Sequence, residues 1–179
     1  MTSLTVQEAR RYCVQPGISV ALSPDDELFY ERSESPSFVV KAPTEVRETI
    51  SFILTLVNTV KSSPFEGGFI WFHIYGVGPL NSAYLGWKVI EDLRRANGDN
   101  RTLDLAPAQH FRGNEETELK LFLLQAITFG WNGVFLPSGF NCLITFTSTQ
   151  RWFFHADNKS HLDKLFEALS PWSPAYENE

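Results

Sequence analysis

The chain has 179 residues, 43% of them hydrophobic, and a formal net charge of -6, with a pI near 5.2. That length supports one core without staples. Its basic residues cluster only as the pairs Arg10-Arg11 and Arg94-Arg95, which argues against a nucleic-acid binder. No apolar run approaches the ~20 residues of a membrane-spanning helix.

Thr5-Val6-Gln7-Glu8 is a capping box that opens a helix to about Val14, before Pro16-Gly17. The stretch before it lacks a basic segment followed by an apolar run, so no signal peptide is expected. Segments 18–22, 27–32 and 37–41 read as strands separated by polar turns, giving a small antiparallel meander. A helix follows from Pro43-Thr44-Glu45 to about Lys61, with Val46, Ile50, Ile53, Leu54 and Val57 as the expected buried stripe. The apolar run Phe69 to Tyr75, bracketed by Gly67-Gly68 and Gly76, reads as a strand buried on both faces. Ala83 to Ala96 is a helix with Leu85, Val89, Ile90 and Leu93 inward, closed at Gly98. Segment 101–111 reads as a broken strand whose Pro107 favours a sheet edge. Glu115 to Phe129 is a helix with Leu119, Phe122, Leu123, Ala126 and Ile127 as its core stripe. Three strands follow, at 133–136, 142–147 and 151–155, and then a helix from Asn158 to Leu169. The tail, 171–179, is expected to fray. The pattern is that of a single α+β domain over 1–170, a mixed, largely antiparallel sheet with helices packed on it.

One ordered set of features runs from Gly76 onward: Leu93-Arg94, Gly98-Asp99, Arg101, Leu103, Ala106-Pro107, His110, Phe111, Glu115 or Glu116, Phe129-Gly130-Trp131 and Ser148. In this the chain resembles a group of uncharacterised bacterial cytosolic proteins with an Ala-Pro-x-His-x-Phe stretch and a helix ending in Phe-Gly-Trp-Asp. The likeness covers about half of the chain. It implies a fold but no activity. Asn132 stands where that group has Asp, and Thr149-Gln150 stand where it has His-Asp. In size, acidity and aromatic content the chain is also similar in kind to immunity proteins that neutralise bacterial toxins.

Several constellations could carry chemistry. His155, Asp157 and His161 have the residue types of a metal site, but Asp157 or Asn158 also suits a helix cap, and His161 a solvated first turn. Cys142 with His110 or His155 has the parts of a nucleophile and base, although the apolar setting of Cys142 reads as core. Gly76-Val77-Gly78 between a strand and a helix is an incomplete phosphate-binding turn, lacking a third glycine and a Walker lysine. His110 and Arg112, before Glu115 and Glu116, could supply a base and an anion grip; a surface Arg112–Glu116 pair is the plainer reading. Trp131, Asn132, Arg151 and Trp152 form the expected binding face if one side of the last meander is solvated, whereas rings packed under the last helix are the alternative. The leading expectation is a non-enzymatic cytoplasmic protein that occludes a protein partner, such as a basic toxin domain, through an acidic, aromatic face. No cofactor, metal, nucleic acid or membrane is expected. The rival is a small hydrolase-like enzyme built on His110 or the His155/Asp157 loop.

Overall fold

The computed structural model describes residues 1–13, 19–22, 28–31, 37–61, 64–73, 83–156 and 158–176. Its strands are β1 (Thr2–Leu4), β2 (Ser19–Leu22), β3 (Leu28–Glu31), β4 (Ser37–Lys41), β5 (Gly68–His73), β6 (Ala108–Phe111), β7 (Asn132–Pro137), β8 (Cys142–Phe146), β9 (Arg151–Ala156) and β10 (Ala175–Tyr176). Its helices are α1 (Val6–Cys13), α2 (Val46–Val60), α3 (Ala83–Ala96), α4 (Glu116–Phe129) and α5 (Lys159–Ala168). The fold is α+β. Eight strands form one sheet in the order β1-β6-β5-β7-β8-β9-β4-β10, and all seven pairings are antiparallel. The α+β class and the largely antiparallel sheet expected from sequence hold, and every described pairing of the sheet is antiparallel. Among the described residues, no helix is long and apolar enough to cross a membrane.

Strand alternation divides the apolar residues between two faces. Ile70 and Phe72 of β5, Phe135 of β7, Ile144 and Phe146 of β8, and Trp152 and Phe154 of β9 join the main core, to which α2, α4 and α5 contribute. Phe69 and Trp71 of β5, Val134 of β7 and Leu143 of β8 point the other way and pack with Ala9 and Cys13 of α1. The expectation for β5 as a strand buried on both faces holds.

The local end signals hold as well. Thr5 N–H donates to Glu8 Oε2 at 2.8 Å, and Glu8 N–H donates back to Thr5 Oγ1 at 3.4 Å, closing the capping box. Asn158 Oδ1 accepts from Ser160 N–H at 2.8 Å and caps α5. Gly130 adopts the left-handed conformation at φ 60°, and Trp131 N–H reaches back to the Ala126 carbonyl at 2.9 Å, which ends α4.

Three long-range features differ from the sequence reading. Strand β4 leaves the expected meander: β2 and β3 pair as a separate two-stranded sheet, while β4 enters the main sheet between β9 and β10. Strand β6 is interior, because β1 covers the edge that Pro107 suggested it would occupy. The tail is tied down as far as Tyr176. Ser170–Trp172 makes a 3-10 turn that sets Trp172 edge-on to Phe52 at 5.2 Å, and β10 then pairs Ala175 and Tyr176 with Val39 and Phe38. Stacking of Tyr176 on Phe166 at 4.7 Å anchors this end.

Candidate interaction surface

Helix α2 is apolar around more of its circumference than one core can use. At 100° per residue, its apolar positions span roughly 200°, twice a typical core-facing stripe. The arc that faces the core holds Thr49, Phe52, Ile53, Leu56, Val57 and Val60. Phe52 decides that phase, because its ring sits edge-on between Trp152 at 5.5 Å and Trp172 at 5.2 Å. The buried Thr49 hydroxyl donates to the Pro43 and Glu45 carbonyls, both at 2.9 Å, so its burial costs little. Ile53 and Val57 are buried as expected, but Val46, Ile50 and Leu54 are left 71%, 42% and 42% exposed.

Helix α4 buries its expected stripe of Leu119, Phe122, Leu123, Ala126 and Ile127 and leaves Leu121 37% exposed. Lys61, just beyond the end of α2, reaches Glu116 at the start of α4 at 3.3 Å, so the two helices run antiparallel. A groove of about 230 Å³ lies between them, with Ile50, Ile53 and Leu54 on one wall and Thr117, Leu121 and Leu124 on the other. Lys120 is the charged residue on its lining, and Glu116 binds it as well as Lys61. Those lysines, Lys120 foremost, hold the Glu116 carboxyl below its ordinary pKa.

The expected binding face does not form a surface. Trp131 is 8% exposed and Trp152 1%. Alternation along β9 turns Trp152 into the main core, where it stacks on Phe146 at 4.8 Å. Trp131 packs edge-on to Phe72 at 5.0 Å. Arg151 points outward over the Phe153 ring at 5.1 Å. Asn132 is exposed, and its Oδ1 accepts from Ser148 N–H, pinning the β8–β9 turn to the start of β7. An aspartate there could accept the same bond, so the change from Asp to Asn keeps the turn.

The catalytic candidates are dispersed. Residue Asp157 and the glycine turn Gly76-Val77-Gly78 lie outside the described residues. His155 is paired with Leu143 across β8 and β9, so it faces away from the side that holds Cys142. His161, on α5, sets its ring 4.5 Å from Phe140 in the main core. Among the described residues, no group of three or more His, Cys, Asp or Glu could hold a metal ion. The His110 ring lies 5.0 Å from that of Tyr12, which stacks on Phe69. Burial, then the Arg112 charge, lowers the His110 pKa. The surface ion pair expected of Arg112 and Glu116 is replaced: Glu116 takes Lys61 and Lys120, and Glu115 accepts from Arg112 N–H at 2.7 Å.

Neither cysteine forms a disulfide, and both are buried. Burial pushes the Cys13 thiol up to about 12, far from a reactive thiolate. We expect no reaction of either thiol with Ellman's reagent in the native protein and two equivalents after denaturation. A fast-reacting native thiol would count against this core placement.

Sequence reasoning missed a buried polar cluster. On α3 the inward line is Gly86, Ile90 and Arg94, while Leu85 and Val89 are exposed. Gly86 lies so close to Phe129 that a Cβ there would come within 2.2 Å of its ring. Arg94 is fully buried; its Nε donates to Gln109 Oε1 at 3.1 Å, and the same oxygen accepts from Ser3 Oγ at 3.0 Å. Arg101 grips Asp99 and donates to the Ser3 carbonyl at 2.8 Å, which draws the 99–101 loop to β1. Arg94, Asp99 and Arg101, three residues of the ordered set noted in the sequence, thus meet around β1 and β6. Desolvation lowers the Arg94 pKa to about 10, which leaves it a cation at neutral pH.

No protein family, curated protein or solved structure matches the chain in the three comparisons.

Proposed function

We propose that this is a non-enzymatic protein-interaction protein that binds a partner through the groove between α2 and α4. The observation that carries the reading is the uncharged apolar strip Val46, Ile50 and Leu54 on α2, facing Leu121 on α4. Contiguous exposed aliphatic residues on two neighbouring helices are costly in water and pay only when something covers them. The net charge of -6 adds long-range attraction for a basic partner, while the groove itself supplies contact. Function by occlusion in the cytoplasm, as in toxin neutralisation, is the form of the reading that the acidic composition favours. The hydrolase-like alternative draws no support from His110, whose ring meets Tyr12 rather than a nucleophile.

The test is affinity capture from host lysate with the intact chain beside an Ile50→Glu/Leu121→Glu variant. Ile50 and Leu121 are partly exposed, at 42% and 37%, and circular dichroism of the variant checks that it keeps the fold before binding is compared. We expect a stoichiometric partner on the intact chain and its loss on the variant. A partner held equally by both would sink the groove as the binding site.

A further inference from the structure

Strand β10 covers only part of the edge of β4. It pairs Ala175 with Val39 and Tyr176 with Phe38. Continued in the same register, the ladder would place Pro174 opposite Val40 and Ser173 opposite Lys41, but it stops. Ser173 N–H turns back to the Ser170 carbonyl at 3.1 Å, and the residue takes the left-handed conformation at φ 50°. That conformation is disfavoured twice, by the serine Cβ and by Pro174, which presses the residue before it towards extended backbone. On the other side of β4, Ala42 N–H donates to the Gln150 carbonyl at 2.8 Å, next to β9. Antiparallel alternation then turns the Lys41 N–H and carbonyl outward, towards the pairing that Ser173 does not make.

The same parity makes Lys41 and Arg151 a cross-strand pair without ladder hydrogen bonds, the kind in which side chains approach most closely. Two exposed cations therefore stand side by side, on the sheet face away from the core that holds Phe38 and Val40. Like charges directly opposite one another are destabilising. Among the described residues neither cation makes an ion pair. The acids on the adjoining helices belong to the other face: Glu45 caps α2 by accepting from Glu48 N–H at 3.0 Å, and Asp163 of α5 accepts from the Tyr176 hydroxyl at 3.4 Å.

We infer that the edge of β4 takes an extended strand from a partner protein in place of β10, with an acid opposite Lys41 and an aromatic residue opposite Phe38. The acid answers the unpaired cations of Lys41 and Arg151. The aromatic position is the one Tyr176 fills, stacked on Phe166 at 4.7 Å. The residue opposite Val40 lies on the core side and is apolar, so the strand reads acid, apolar, any, aromatic. It completes the ladder at Lys41, and its arrival frees Ser173 from the left-handed conformation. In strand addition main-chain hydrogen bonds carry affinity and alternate side chains carry specificity, so a short segment suffices. The β10 of a second copy does not meet the requirement, because serine stands where the acid is needed. The segment Glu27-Leu28-Phe29-Tyr30 has the pattern in its sequence, which makes self-association the competing outcome. Neither Val39 nor Lys41 lines the α2/α4 groove, so the two surfaces are tested separately.

The probe is a fluorescein-labelled peptide with the core Glu-Val-Thr-Tyr between threonines, titrated with the full chain and read by fluorescence anisotropy. We expect saturable binding that weakens about fivefold or more when the peptide glutamate is replaced by lysine. In the chain, Lys41→Gln should shrink that difference, and Lys41→Glu/Arg151→Glu should reverse it; both positions are exposed. A Val39→Cys/Ala175→Cys variant ties β10 in place when oxidised, because the two residues are ladder partners and both native cysteines are buried. The oxidised form should not bind the peptide, and reduction should restore binding. Absence of saturable binding, equal binding of the two peptides, or binding that the oxidised variant keeps overturns the inference. Sedimentation of the chain alone completes the test: self-association that the double charge reversal abolishes assigns the edge to a second copy and overturns the separate partner.

Discussion

Replacing Trp152 with Ala is expected to cost about 4 kcal/mol of folding stability, near the top of the range for single core truncations. The ring is 1% exposed, stacks on Phe146 at 4.8 Å and meets Phe52 edge-on at 5.5 Å. Phe52 in turn holds Trp172, so the cavity would open at the junction of β9, α2 and the C-terminal turn. The measurement is urea denaturation followed by far-UV circular dichroism. Arg151→Ala, one residue away, provides the contrast: its cation–π contact with Phe153 is solvent-exposed and worth about 0.5–1 kcal/mol. Equal small losses in both variants would mean that Trp152 is a surface group after all. The contrast also bears on binding experiments. A double alanine replacement of Trp131 and Trp152 removes core rings, so loss of a partner by that variant would report unfolding rather than a contact face.

Acidification should destabilise the protein between pH 6.5 and 4, with His73 as the main source. Burial at the end of β5 lowers the His73 pKa from 6.5 to about 4. In that window the unfolded chain binds the proton and the folded chain does not, so stability rises with pH. The His73 contribution is fully present above pH 6.5 and is lost as pH falls towards 4. At 1.36 kcal/mol per pKa unit, the loss approaches about 3 kcal/mol. His110, also lowered by burial, acts in the same direction. The carboxylates with lowered pKa, Glu116 and Asp99 among them, add their losses mainly below the ordinary carboxylate range. Denaturation curves at pH 7, 6 and 5 should therefore show falling stability in the native protein and a flatter profile in His73→Gln. Identical slopes in the two would remove His73 as the cause.

The local features of this fold were legible in the sequence because their causes are local. The Thr5–Glu8 capping box, the Asn158 cap, the Gly130 stop and the inward stripe of α4 each depend on residues within one or two turns of one another. The run from Phe69 also declared itself, since a strand covered on both faces has no polar side to show. Helix α2 carried two competing apolar arcs, and only Phe52's place between Trp152 and Trp172 selected one. That selection left Ile50 and Leu54 outside and made the groove. On α3 the hydrophobic count pointed Leu85 and Val89 inward, while the structure buries Gly86 and Arg94: Gly86 because α4 comes close, Arg94 because Gln109 Oε1 accepts from both its guanidinium and the Ser3 hydroxyl. The binding face failed for a related reason, since β9 alternates and the side chosen by Trp152 became the core. Sequence by itself therefore determined where the helices and most strands begin and end, and the α+β class. Tertiary structure decided which of two apolar arcs is covered, which edge β4 and β10 complete, and which rings are hidden. Those choices depend on partners distant in the chain, and local periodicity carries no information about them.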